Sequence, residues 1–139
     1  MKLSNKTISD IITTLTDPKS FRNDISVKIP AKLRFAIRMN EEKLVSIMEA
    51  YQKERDVLLK RYVKMGYATS SDGQSYRLDP EHASEISTEL QELANVTSDI
   101  DLILVDADII DGFLESVDLS IPEEKLIILM READTTPTS

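Results

Sequence analysis

The sequence has no cysteine, no tryptophan and only three glycines in 139 residues. Without cysteine there can be no disulfide, no thiolate metal site and no cysteine nucleophile. Gly66, Gly73 and Gly112 lie far apart, so they cannot form a glycine-rich phosphate-binding loop. Few glycines also mean few tight turns, which disfavours an all-β sandwich. The abundance of Leu, Ile, Lys and Glu instead predicts a mainly α fold.

Long apolar stretches are missing too. The longest runs, residues 103–105 and 126–130, are far shorter than the roughly 18 residues that a membrane span requires. The first residues are polar from Ser4 onward and contain no apolar segment of the kind found in export signals. We therefore expect a soluble, cytoplasmic protein that does not contact a membrane.

The clearest helical pattern extends over residues 30–65. Pro30 suits the first turn of a helix, and neither glycine nor proline follows before Gly66. Apolar residues recur every three or four positions with polar interruptions at Asn40 and Arg55, which is typical of a coiled-coil stripe. The stripe consists of Leu33, Ile37, Leu44, Met48, Tyr51, Leu58, Tyr62 and Met65. Such a helix would be about 50 Å long.

A second helix is predicted from Asp79 to about residue 94. Asp79 is a favourable N-cap, and Pro80 fits the first helical position. The apolar seam of this helix consists of Ala83, Ile86, Leu90 and Leu93. Between the two helices, the Asp72-Gly73 dipeptide predicts a small β-hairpin. The pattern therefore predicts a mainly α fold built on a long, coiled-coil-like antiparallel helical hairpin.

Charge favours the same pairing of the two helices. The predicted first helix carries basic residues along its distal half, and the second carries acidic ones, so folding them together would place opposite signs face to face. The basic residues are Lys53, Lys60, Arg61 and Lys64. The acidic residues are Glu81, Glu85, Glu89 and Glu92.

Shorter elements complete the predicted domain. Residues 24–29 and 98–105 alternate between apolar and polar side chains and predict two paired strands. Short helices are expected over residues 4–15, 107–116 and 122–132, with Ser120 near the start of the last one as a cap. Apolar residues of this last helix should cover the base of the hairpin. We interpret residues 1–134 as one helical-hairpin domain and residues 135–139 as a frayed tail.

The two halves of the chain differ sharply in charge. Residues 1–65 contain 14 Lys and Arg against 8 Asp and Glu, whereas residues 66–139 contain 3 against 17. The acidic excess after the second helix predicts an acidic face, either simply solvated or able to bind a basic protein partner. The candidate partner-binding residues of this acidic face are Asp99, Asp101, Asp106, Asp108, Asp111 and Glu115. Direct nucleic-acid binding is disfavoured, because it requires an unopposed basic face.

No catalytic, cofactor or metal site is predicted. The sequence shows no recognisable nucleophile that the single histidine, His82, could activate. We therefore interpret His82 as an ordinary exposed residue. Residues 106–112 superficially resemble a calcium loop, but Ile110 stands where the fifth-position ligand should be and Gly112 comes one position late. We therefore expect a protein that is not an enzyme and that needs no cofactor.

Read from end to end, the order of features resembles a family of small proteins encoded by phages and prophages of Gram-positive bacteria, known as domain of unknown function number 1617. The resemblance covers most of the chain. It rests on residues 1–3, 27–30, 54–62, 72–76, 99–102 and 119–124. It implies a phage origin and a role in the host cytoplasm or in virion assembly, and it implies no enzymatic activity.

Two functions remain open at this stage. The first is a non-enzymatic protein-interaction factor, either an assembly factor or a host-modulating adaptor, which could also form a homo-oligomer through its long helix. The second is a phage inhibitor of a bacterial defence system that blocks a basic or nucleic-acid-binding surface with its acidic face. Binding that weakens strongly with salt would favour the inhibitor, whereas an apolar contact insensitive to salt would favour the adaptor.

Overall fold

A computed structural model of the protein describes residues 1–133, and these fold into five α-helices, one short 3-10 helix and two small two-stranded sheets. The predicted tail at residues 135–139 lies outside the described residues. The helices are α1 (Asn5–Thr16), α2 (Ala31–Lys64), α3 (Ala83–Ala94), α4 (Ala107–Ser116) and α5 (Ile121–Leu129), with the 3-10 helix at Phe21–Asn23. The strands are β1 (Lys2–Ser4), β2 (Ala68–Thr69), β3 (Arg77–Leu78) and β4 (Thr97–Asp99).

The predicted fold class is confirmed. The protein is mainly α, with a long helix, a small β element and short terminal helices. The predicted cap at Ser120 is confirmed, because Ser120 and Glu123 form a capping box at the start of α5. At the start of α1, the Ser4 side chain accepts a hydrogen bond from the Thr7 N–H. None of the described helices is long and apolar enough to cross a membrane.

Apolar side chains gather in two separate clusters at the two ends of α2. The main core includes buried residues of α1, α4 and α5 together with Leu33, Ile37 and Leu44 from the first half of α2. The smaller, distal cluster contains Leu59, Tyr62, Ala68 and Ile86. None of residues 49–57, which connect these two ends of α2, is buried. The predicted stripe is therefore interrupted, and at its distal end Leu59 is buried whereas Met65 is 49% exposed.

α3 returns from the distal cluster towards the N-terminus of the chain. Its Ile86 is fully buried against the end of α2, and the Asn5 side chain donates to the Leu93 carbonyl oxygen at 2.9 Å. α3 begins at Ala83 rather than at Asp79, because Asp79 stabilises a preceding turn by accepting a bond from the Glu81 N–H at 3.3 Å. α3 therefore covers only the distal end of α2, and α1 packs against its first half.

The predicted charge pairing between α2 and α3 does not occur. In residues 1–133, no lysine or arginine of α2 forms an ion pair with a glutamate of α3; Lys60 instead pairs with Asp56 of its own helix at 2.9 Å. The Glu89 carboxylate of α3 accepts a hydrogen bond from the Tyr62 hydroxyl at 2.5 Å. A buried tyrosine therefore makes the polar contact that we had assigned to exposed cations.

The predicted strand pair was half wrong. β4 exists but is short, and it pairs antiparallel with β1, so that Leu3 lies opposite Ser98. Residues 24–29 form no strand. The Asp24 carboxylate accepts bonds from both the N–H and the hydroxyl of Ser26, at 3.0 and 2.6 Å, which fixes a turn and leaves Ile25 entirely exposed. Residues 24–29 do alternate between apolar and polar side chains, but the turn stabilised by the Asp24 side chain forms in place of a strand.

Asn40, a polar interruption in the stripe, attaches the segment after β4 to α2. Its side chain is 96% buried, since only 4% of its surface is exposed. It donates to the Ile103 carbonyl oxygen at 3.0 Å and accepts from the Ile103 N–H at 2.7 Å. The two bonds occupy both backbone groups of Ile103, so this residue of the predicted strand is bonded to a helix side chain instead of a neighbouring strand. They join positions 63 residues apart.

Replacing Asn40 with alanine should lower the free energy of unfolding by about 2–3 kcal/mol, because it leaves both backbone groups of Ile103 without a partner. Gln52→Ala, on the exposed middle of the same helix, should change it by less than about 0.5 kcal/mol. Urea denaturation of the two variants measures both values. Equal effects of the two substitutions would contradict this role for Asn40.

Tyr62 provides a test of the distal cluster at high pH. The hydrogen bond to Glu89, together with burial, raises the pKa of Tyr62 from 10.0 to about 12. Its stabilising contribution should be complete below pH 10 and should be lost as the pH rises through about 12. The difference in unfolding free energy between the wild type and Tyr62→Phe should therefore narrow over this range. A difference that stays constant from neutral pH to pH 12 would contradict the Glu89 contact.

Candidate functional site

A groove with a volume of about 740 Å³ lies between α1 and α5. Ile11 and Leu126 are buried along it. On the α5 side, Ile121 is 71% exposed and Ile128 is 48% exposed. The groove is lined by Thr7, Asp10, Ile11, Thr13, Thr14, Ile121, Pro122, Lys125, Leu126, Ile128 and Leu129. We refer to it as the α1–α5 groove.

The α5 side of the groove is apolar because α5 has more apolar residues than the core can cover. Residues 126–130 are five consecutive apolar side chains, and in a helix these point in all directions. Leu126, Ile127 and Met130 are buried in the main core. Ile128 points away from it. The exposed apolar surface is therefore a direct consequence of the sequence of this helix.

The orientation of α5 is fixed at its first turn. The Glu123 carboxylate accepts a hydrogen bond from the Ser120 N–H at 3.1 Å as part of the capping box. Its other oxygen accepts from the backbone N–H of Phe21 at 2.8 Å, which links α5 to the 3-10 helix. Phe21 is itself buried in the main core, in contact with the Phe113 ring at a centroid distance of 5.8 Å. The groove is thus preformed rather than dependent on a loose helix.

Polar groups also line the groove. The Thr14 hydroxyl donates to the Asp10 carbonyl oxygen at 2.9 Å, so it is already engaged within α1. Asp10 and Lys125 are exposed charges on opposite sides of the groove. A volume of this size and a mainly apolar lining are typical of sites that bind an apolar ligand or an apolar side-chain cluster.

Three of the six acidic residues predicted to bind a partner are paired with cations. Asp99 accepts from the N-terminal ammonium group at 3.1 Å, and Asp106 lies 3.3 Å from the Lys32 ammonium group. Asp111 accepts two hydrogen bonds from the Arg131 guanidinium, at 2.9 and 3.0 Å. Hydrogen bonding to Arg131 holds the pKa of the Asp111 carboxyl below its ordinary value. The predicted acidic face is therefore partly neutralised by local contacts.

The other three acidic residues, Asp101, Asp108 and Glu115, are exposed and have no ion pair within residues 1–133. Asp108 and Glu115 share a face of α4 with Asp111, because they are spaced by three and four residues. Asp101 lies elsewhere, beyond β4, where its carbonyl oxygen accepts from the Lys43 ammonium group at 2.7 Å. The acidic surface that remains is thus mainly one side of α4.

The side chain of His82 is less exposed than the sequence indicated. Its ring is half-buried and stacks on Tyr67 with a centroid distance of 3.5 Å. Its Nδ1 atom lies 3.6 Å from a Glu85 carboxylate oxygen. Asp79, Glu81 and His82 each offer one possible metal-ligand atom, and these atoms lie within 4.8 Å of one another. Exposed acidic groups are common in such arrangements without a metal, so stacking of the ring on Tyr67 is sufficient to explain the position of His82.

The groove residues were missed at the sequence level, although a signal was present. A run of five apolar residues exceeds what one buried face of a helix can hold, so at least one of them had to be exposed. The position of Ile121 at the start of α5, just before Pro122, gave no comparable signal. That α1 forms the opposite side could not be read from the pattern, because it depends on tertiary packing.

Two adjacent isoleucines of α5 test this description of the groove. Ile127→Ala should lower the free energy of unfolding by about 2–5 kcal/mol, because Ile127 is completely buried. Ile128→Ala removes the same atoms from an exposed position and should change it by less than about 0.5 kcal/mol. Thermal and urea denaturation of both variants provide the comparison. If Ile128→Ala were as destabilising as Ile127→Ala, Ile128 would belong to the core and the groove would not be open.

No protein-family model matches the chain, and neither the curated proteins nor the solved structures contain a significant match to it. The resemblance to the phage family therefore stays a prediction, and any functional conclusion depends on the geometry of the chain itself.

Proposed function

We propose that the protein is a non-enzymatic, phage-encoded protein-interaction factor that acts in the cytoplasm of the bacterial host. It binds a helical segment of another protein in the α1–α5 groove. The observation that carries this proposal is the exposed apolar surface of Ile121 and Ile128 beside a groove of about 740 Å³. Exposed apolar surface that borders a preformed groove is characteristic of protein-interaction sites.

The walls of the groove favour a helix as its occupant. Both walls are α-helices, and the backbone groups of a helix are bonded within the helix itself. They therefore offer no open edge to which a partner strand could add. A segment that enters the groove must satisfy its own backbone hydrogen bonds, and an amphipathic helix does so while presenting an apolar face.

Charge narrows the class of partner. The chain has a net charge of −8, so a partner helix with basic residues on its outer face would be attracted at long range. Asp10 and Lys125, on opposite sides of the groove, give the partner helix a preferred direction, since each favours the opposite charge. We therefore expect an amphipathic helix with an apolar stripe and a basic outer face.

A second candidate function rests on the unpaired carboxylates of α4. Asp108 and Glu115 are exposed on one side of this helix and have no ion pair within residues 1–133. They support the alternative of a phage inhibitor that blocks a basic surface of a bacterial defence protein. This alternative is the weaker one, because three of the six predicted carboxylates are already paired with cations of the chain.

Site-specific photo-crosslinking in the infected bacterial host tests the groove proposal. A photoreactive amino acid is placed at Ile128 in the groove, at Glu115 on the acidic side of α4, and at Gln52 on the exposed middle of α2 as the matched control. We expect a defined covalent adduct from position 128 and none from position 52. The added substitution Ile121→Asn should abolish the adduct without unfolding the protein, because Ile121 is mostly exposed.

The outcomes separate the possible functions. An adduct from position 128 that also forms when a lysate of the infected cells is irradiated at high salt supports the groove and an apolar contact. An adduct from position 115 alone, which no longer forms when the lysate is irradiated at high salt, would replace the groove proposal with the acidic inhibitor. A mass equal to two copies of this chain would identify the partner as a second copy. Adducts of equal yield from all three positions, or from none, would overturn the proposal of a specific interaction site.

A further inference from the structure

A small pocket at the start of α2 brings three arginines together. It is lined by Arg22 from the 3-10 helix, by Arg34 and Arg38 from α2, and by two isoleucines, Ile29 and Ile37. Its volume is about 190 Å³. It shares no lining residue with the α1–α5 groove. The basic residues singled out in the sequence lie in the distal half of the long helix, so this site was not predicted.

Arg22 is held in place by Glu41. Its Nη1 and Nη2 groups donate to the two carboxylate oxygens of Glu41, and both side chains are more than 80% buried. A guanidinium group has five N–H donors, so these two bonds leave three for another acceptor. Arg22 is therefore an oriented donor rather than a mobile surface cation.

Arg34 and Arg38 are arranged unfavourably for an unliganded helix. Arg34 lies in the first turn of α2, where no acidic residue balances the positive end of the helix dipole. Arg38 follows four residues later, so the two like charges face each other along the helix. Neither has an ion pair within residues 1–133, whereas the nearby Lys32 is paired with Asp106. Among the described residues, the one carboxylate that forms an ion pair with any of these three arginines is that of Glu41.

We propose that this arginine pocket binds a single oxyanion group, a phosphate or a carboxylate, of a small molecule. Arginine is the residue best suited to planar, two-point recognition of such groups. The pocket is smaller than the roughly 300 Å³ at which sites for drug-sized ligands begin, so it fits one group rather than a large ligand. Ile29, which is half-buried, offers an apolar contact for the carbon atoms next to the oxyanion. The proposal does not depend on what occupies the α1–α5 groove.

Binding is tested with inorganic phosphate and with succinate, each titrated against sodium chloride at the same ionic strength. Isothermal titration calorimetry and thermal denaturation of the full chain are the two readouts. We expect at least one of the two anions to bind and to raise the melting temperature above the chloride control. The double variant Arg34→Gln/Arg38→Gln should bind that anion at least about tenfold more weakly, since charge-assisted hydrogen bonds are lost.

Two control variants make the result specific. Arg55→Gln/Arg61→Gln removes two exposed arginines of the same helix outside the pocket and should bind the anion as the wild type does. Arg34→Lys/Arg38→Lys keeps the charge but loses the planar geometry, and its affinity should fall between those of the wild type and the glutamine variant. Circular dichroism confirms that each variant is folded, as expected for exposed positions.

Several results would overturn the proposal. The first is a wild type that shows no response to either anion beyond that to chloride. The second is a response of the same size in both glutamine double variants. The third is that a single-stranded DNA oligonucleotide binds through Arg34 and Arg38 whereas phosphate and succinate do not bind. That outcome would assign the arginines to a nucleic acid backbone instead of a small molecule.

Discussion

The structure depends on one geometric constraint: its helices have more surface than a chain of 139 residues can cover. α2 alone has 34 residues, or about 50 Å, and it is buried only near its two ends. The uncovered middle carries mainly charged and polar side chains, such as Lys53, Glu54 and Arg55, which are stable in water. Uncovered helix surface therefore needs no functional explanation where it is polar.

The same constraint has a different consequence at α5. This helix of nine residues is apolar on more than one side, and the main core accepts only part of it. Ile121 and Ile128 remain exposed next to α1, at a cost in hydration that a charged residue would avoid. A rigidly capped helix that keeps an apolar face in water is best explained by a contact that this face makes with another molecule. The proposed adaptor function follows from this contrast between the mainly polar middle of α2 and the apolar side of α5.

Much of the fold could be predicted because it depends on local patterns. The cap at Ser120 was predicted, as was the turn at Gly73, whose positive φ of 74° favours glycine. The remainder depended on contacts distant in sequence. Asn40 was identified as an interruption, but its bonds to Ile103 could not be foreseen, and without them residues 98–105 resemble a continuous strand. The ion pairs of Asp99, Asp106 and Asp111 were likewise not predicted, because their counter-charges come from other parts of the chain.

The most direct test of this account is carbene footprinting of the purified, monomeric protein, which labels side chains according to their exposure to solvent. The account predicts strong labelling of Ile121 and Ile128 and almost none of Ile127, their buried neighbour on the same helix. Protection of Ile128 in the monomer to the same extent as Ile127 would contradict it. The apolar face of α5 would then already be covered by the chain itself, and no partner would be needed to explain it.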